Sequence, residues 1–261
     1  MELFTLQKPV GEIVPIVANL PHSGMFVPAT VAAQFTPEHL TSLPNTDWHL
    51  DRLYSFLPEL GVTVMQATHS RYVVDLNRRL NEPLLGPFKT SAIAERTALD
   101  KPIYRVKPDH DEILQRVEQF YLPYHQKLKE LVKEMTQQFG RACLLHLHSF
   151  FWPPHNDVDL GDGRGQSCSE FLIACVERHF QANGYKVARN SPYSGGQVVK
   201  HYGDMPTVES LQIEVRYHLY LRGSQLDKSE PPQADVPEMK AAQASFREIF
   251  SSVIRDIQAT G

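Results

Sequence analysis

Cysteine is scarce: Cys143, Cys168 and Cys175 are the only three in 261 residues, and no two form a CxxC pair. A disulfide framework and a thiolate zinc cluster are thereby excluded, and the thiols read as small buried side chains. No apolar run approaches the length of a bilayer span, and the N-terminal MELFTLQKPVGEIVPIV lacks the basic-then-apolar order of a secretory leader. A cytoplasmic protein with no membrane partner is the expectation. Basic charge is not in excess either, with 26 Lys and Arg against 30 Asp and Glu and a formal net charge of -4. That argues against nucleic acid as a partner, while a local basic pocket for a small anionic metabolite stays compatible. There is no internal repeat. The run Gly161-Asp-Gly-Arg-Gly165 fits neither a P-loop nor a GxGxxG after a strand, so it reads as a glycine-rich turn at the mouth of a site.

What is present is an ordinary globular composition, 42% hydrophobic and 21% charged, in a length suited to one domain, residues 1–261. Apolar patterning predicts a buried strand over 12–20 that stops at Pro21, then a helix over 46–59 capped by Thr46 and stopped by Gly61. Strands are predicted at 62–67 and 72–76. Residues 81–109 are rich in Pro, Gly, Lys and Thr and read as a long surface excursion, a candidate lid. A helix over 111–139 should break or kink at Pro123. A strand at 142–148, a helix at 169–181, strands at 185–188 and 210–215, and a helix at 237–257 follow. The linker-like stretch 227–236 comes too late to separate domains. This alternation predicts an α/β, single-domain three-layer sandwich with a mixed central sheet.

Polar clusters stand at the predicted strand ends, where α/β folds gather their chemistry. His22 follows the first strand in Pro-His-Ser-Gly. His146 and His148 share one face of the 142–148 strand by its period of two, with His148 nearer the end. Asp47 stands near a helix start. A carboxylate joining two histidines suits a catalytic zinc site with one open position, and Asp51, one turn later, is the alternative ligand. Asn77 and Arg78 close the 72–76 segment with donors suited to a carboxylate. Glu214 is a lone acid in an apolar strand, so it should border a cavity, a cation or an activated water.

Together, PHSG at 21–24, TDWHLDRLY at 46–54, SRYVVDLNR at 70–78, HSF at 148–150, LGDGRGQSC at 160–168, SGGQVVKHYG at 194–203 and LQIEVR at 211–216 resemble the N-formylglutamate amidohydrolases. The RYVVDLNR segment is also similar to aspartoacylases, and both families are similar in fold to zinc carboxypeptidases. The resemblance implies Zn2+, or a similar divalent ion, on His22 and His148, Glu214 as the catalytic carboxylate and Arg71 near the scissile carbonyl. It implies Asn77 and Arg78 on the substrate α-carboxylate, with Arg164, His201 and Tyr202 lining the pocket and Lys200 a further candidate for its distal end. The carboxypeptidase pattern HxxE would need an acid at Met25, so the third ligand is sought elsewhere and Asp47 is taken. The family commonly has aspartate where His146 stands. The expected substrate is a small N-acyl acidic amino acid, N-formyl-L-glutamate first. Alternatives are an aspartoacylase-like or carboxypeptidase-like hydrolase, or a metal-free protein that binds an acidic metabolite.

Overall fold

A computed structural model of the chain describes residues 2–152, 155–226, 228 and 230–259. Among the described residues nine strands form, β1 Phe4–Gln7, β2 Ile16–Leu20, β3 Thr63–Ala67, β4 Leu85–Gly86, β5 Ile93–Ala94, β6 Ala142–Phe150, β7 Val158–Gly161, β8 Val187–Arg189 and β9 Val208–Arg216. The helices are α1 Ala29–Ala32, α2 Pro37–Ser42, α3 Leu50–Leu53, α4 His110–Arg116, α5 Leu122–Phe139, α6 Glu170–Ala182, α7 Gln197–Gly203 and α8 Pro237–Ala259. No helix among the described residues is long and apolar enough to cross a membrane.

Seven strands make one mixed sheet in the order β1-β3-β2-β6-β9-β7-β8. Its centre, β3-β2-β6-β9, is parallel, and β1 and β7 join antiparallel. The two-residue period divides the sheet into two faces. Ile16, Ala18, Leu20, Leu145, Leu147, Leu211 and Ile213 pack with α6 and α8, whereas Val17 and Leu144 pack with α5. Helices on both faces complete the three-layer α/β sandwich.

The α5 face turns polar towards the carboxyl ends of the parallel strands. Its buried polar residues include Asn19, His146, His148, Ser210, Gln212 and Glu214. A buried polar side chain needs a partner, and these supply one another. Parallel register sets His148 directly beside Glu214, and antiparallel β7 sets Asp159 on the other side of Glu214.

Several predicted elements took other forms. The 46–59 helix is reduced to α3 and a 3-10 turn, Leu57–Leu60. Tertiary contacts account for this, because Asp47 N–H donates to His22 O at 3.0 Å and Thr46 Oγ1 to Leu43 O at 2.7 Å. Thr46 therefore caps nothing. The 72–76 strand does not form; Asp75 N–H bonds Ala92 O at 2.7 Å and Val73 N–H bonds Ser70 O. Its apolar residues are buried on all sides without joining a sheet. The 81–109 excursion is packed rather than free: it carries β4 and β5, and Ala92, Ile93 and Ile103 are completely buried. At Pro123 the expected irregularity occurs as a π turn, Val117–Tyr121, since proline has no N–H to return to the preceding turn. Strands β1 and β7 were not legible, being four residues each, and of the 227–236 stretch residues 227 and 229 lie outside the description.

Candidate active site

Chain reversal after β2 delivers His22. Gly24 makes this possible: a Cβ there would lie 2.4 Å from His69 O, so only glycine lets this segment cross residues 68–69. His148 projects from β6, and Asp47 arrives on the extended backbone anchored to His22 O. One donor atom from each of His22, Asp47 and His148 lies within 4.8 Å of the others, and all three side chains are buried. His148 Nδ1 is 2.9 Å and His22 Nδ1 3.8 Å from Asp47 Oδ2, with the two rings 4.7 Å apart. Asp51 is not part of this group.

Behind the three donors is a residue that the sequence reading passed over. Asp75 Oδ1 is 2.7 Å from His22 Nε2 and accepts the Asn77 backbone N–H at 2.8 Å, while Oδ2 accepts from Arg71 at 2.6 Å. Arg78 Nε lies 4.0 Å from the same oxygen. Burial alone would raise the Asp75 pKa, but Arg71, His22 and Arg78 outweigh it and hold the carboxyl well below its usual range. The signal was available, since an acid inside Val73-Val74-Asp75-Leu76 is as anomalous as Glu214 in its strand.

This arrangement fits a bound metal. Asp75 occupies His22 Nε2, which directs Nδ1 towards Asp47 and His148, and a carboxylate behind a ligating histidine is the usual support. On His148 the Nε2 faces the Asn77 amide at 3.2 Å. Asn77 Oδ1 has no partner, and half a turn of the amide would bring this acceptor to the Nε2–H that ligation through Nδ1 requires. Burial, then Arg71, lowers the His22 pKa to about 4, so its ring is neutral as a ligand must be. For His148, burial opposes protonation but the hydrogen bond and charge of Asp47 overcome it and raise its pKa.

Glu214 stands beside this group in an environment that raises its pKa to about 7, through burial first and then the negative charges of Asp47 and Asp159. Gln212 Nε2 donates to Glu214 Oε1 at 2.9 Å and fixes its position. Arg71 spans Asp75 and Asn45 O, with its guanidinium 4.8 Å from the centre of the Phe88 ring. The Nε atoms of both Arg71 and Arg78 are buried without a hydrogen-bond partner. Asn45, Trp48 and Tyr217 continue into a cavity of about 720 Å³ also bounded by His39, Lys101 and Phe151.

His146 shares the face of His148, as its spacing predicted, yet it bonds Asn19 at 3.0 Å and Ser210 at 3.1 Å. Gly196 packs on Asn77 and its N–H reaches Gln212 Oε1, which gives the Ser-Gly-Gly turn a place at the site. Arg164 is exposed on the turn after β7, and the Lys200 stem lies against Gly163 of that turn. Tyr202 lies away from the three donors. Its side chain is buried, with its hydroxyl shared with His125 at 3.2 Å, and with the exposed His201 it belongs to a separate depression lined by Arg79, Tyr121 and Lys129.

Comparison with known proteins identifies the family. The N-formylglutamate amidohydrolase family model matches residues 14–221. An N-formylglutamate deformylase of Pseudomonas aeruginosa is 32% identical over 255 residues, covering 92% of this chain and 93% of that protein. One from Pseudomonas putida is 30% identical, over 87% of this chain and 91% of its own. The crystal structure of N-formylglutamate amidohydrolase from Ralstonia eutropha superposes with a TM-score of 0.84 and 33% identity over 99% of both chains. With the match spanning the segments that carry His22, Asp47, Asp75, His148 and Glu214, the chain belongs to the N-formylglutamate amidohydrolase family.

Proposed function

We propose that this chain hydrolyses N-formyl-L-glutamate to formate and L-glutamate, using zinc or a similar divalent ion held by His22, Asp47 and His148. The observation that carries this reading is the convergence of three buried donor atoms within 4.8 Å beside Glu214. When bound, such an ion supplies a Lewis acid that makes water more acidic and polarises a carbonyl.

The remaining steps belong to the protein. Glu214, titrating near 7, takes a proton from water as the water oxygen bonds to the formyl carbon. The same carboxyl passes the proton to the amide nitrogen as the C–N bond breaks, so formate and the free amine leave with no covalent enzyme intermediate. Arg71 faces the developing oxyanion with a buried, unsatisfied Nε–H, an arrangement that suits transition-state charge. Asn77 and Arg78 hold the α-carboxylate, Arg78 through its own unpartnered Nε–H. For the distal carboxylate, Arg164, Lys200 and His201 are the candidate partners, since the turn that carries Arg164 adjoins the Ser194–Gly196 segment that packs on Asn77 and leads into α7, which carries Lys200 and His201.

Turnover of N-formyl, N-acetyl and N-succinyl derivatives of glutamate and aspartate, before and after metal removal, tests this reading. N-formylglutamate should be cleaved fastest, with activity lost on chelation, restored by zinc and absent in His22→Ala. Undiminished turnover by the metal-free protein would refute the metal assignment. Failure of the metal-loaded protein to cleave any N-formyl amino acid would refute the substrate.

A further inference from the structure

On the opposite side of the sheet, α6 and α8 bury Leu172, Val176, Phe180, Phe246 and Phe250 in a common core. Beside this core three further ligand atoms meet. Cys175 and His179 are four residues apart on α6 and therefore share a face. Asp256 comes from the last turns of α8. One donor from each of the three lies within 4.8 Å of the others.

Three contacts converge on one oxygen, and an Arg178 nitrogen also lies 3.9 Å from Cys175 Sγ. Asp256 Oδ2 is 2.8 Å from His179 Nε2, 2.7 Å from an Arg178 nitrogen and 3.7 Å from Cys175 Sγ. We propose that Cys175, His179 and Asp256 form a second divalent-metal site, for zinc or a comparably thiophilic ion, that ties α6 to α8 away from the catalytic cleft.

The donor set selects the ion. One sulfur, one imidazole nitrogen and one carboxylate oxygen suit zinc, whereas magnesium and calcium require mostly oxygen. Cys175 closes the inner side, while the partly exposed His179 and Asp256 leave an entry path and room for water as a fourth ligand. Arg178 would have to release Oδ2, and this is inexpensive because its side chain is 60% exposed. Without metal the thiol stays protonated, its pKa pushed up to about 11 by burial and then by Asp256. Binding therefore releases the thiol proton, and affinity rises with pH.

The test uses the full chain, stripped of metal and titrated with zinc, in wild type, His22→Ala, Cys175→Ser and His179→Asn. About two equivalents should bind to wild type and about one to each variant. Filling the α6–α8 site should raise Tm in wild type, as the second equivalent, and in His22→Ala, as its single equivalent, whereas Cys175→Ser should show only the effect of the catalytic equivalent. Cobalt-loaded His22→Ala should show a thiolate charge-transfer band that Cys175→Ser lacks, and Cys175→Ser should keep its hydrolase activity. Should Cys175→Ser misfold, His179→Asn carries the same stoichiometric comparison. The proposal is overturned if wild type binds one equivalent that His22→Ala loses, or if neither α6 variant changes stoichiometry or cobalt spectrum. Either result leaves the catalytic assignment untouched.

Discussion

Replacing Asp75 with asparagine removes one negative charge from the centre of the site and almost no volume. The Asp75 side chain is 6% exposed, and the Arg71 and His22 side chains it serves are 9% and 3% exposed. Asparagine can still accept from the Asn77 backbone, but Arg71 would be left as a buried cation without its ion-paired carboxylate, with only the charge of Asp47 nearby. Breaking a buried pair in this way costs about 3–5 kcal/mol, and the retained hydrogen bonds put this variant near the lower end. At roughly 2–4 °C per kcal/mol for a protein of this size, the metal-free Tm should fall by about 6–12 °C. Zinc affinity should fall by about 10–100-fold, because the carboxylate that orients His22 is lost. Thermal melts of the metal-free protein and a competitive zinc titration measure the two effects separately. The double variant Arg71→Met with Asp75→Asn should be less destabilised than the sum of the single changes, since both members of the 2.6 Å ion pair are neutralised together. An Asp75→Asn protein that melts and binds zinc like wild type would refute the account of Asp75 as the charge that holds the site together.

Glu214→Gln preserves shape and removes the proton acceptor, so kcat should drop by about 10²-fold or more with KM little changed; an unaltered kcat would rule out the acid–base role. Arg78→Lys keeps the charge and loses the planar fork, which should cost about 1.5–3 kcal/mol in kcat/KM, and steady-state kinetics showing no change would remove Arg78 from the carboxylate site. Burial lowers the pKa of His39, His69 and His125 to about 4, so all three are neutral at pH 7 in the folded chain. Unfolded histidine titrates near about 6.5 and takes up protons the folded form refuses, so their contribution is full above that pH and is lost as pH falls towards about 4. Stability measured by denaturant titration should therefore decline from pH 7 to 5, less steeply in His39→Leu, and a flat profile would contradict the burial of these rings as neutral groups.

The sequence by itself determined those features that depend on local period and chemistry. Alternation along residues 142–148 places Leu145 and Leu147 on one face and His146 and His148 on the other, whatever the strand packs against. The acid in Leu211-Gln-Ile-Glu-Val215 is anomalous before any neighbour is known, and Pro123 interrupts helical bonding by lacking an N–H. Tertiary structure decided how these pieces met. Asp47 could serve equally well as a helix-terminal charge until its backbone was anchored to His22 O and its carboxylate set beside His148. Val73, Val74 and Leu76 have the composition of a strand, but Val73 N–H bonds Ser70 O and Asp75 N–H bonds Ala92 O, and the turn so formed aims Asp75 at His22 and Arg71. Which of His146 and His148 joins the cluster followed from their neighbours across the sheet and loops, Asn19 and Ser210 for one and Asp47 and Asn77 for the other. Side-chain period is a property of one segment, whereas a buried polar atom is satisfied by groups distant in sequence, and only the packed chain brings those groups within hydrogen-bond reach.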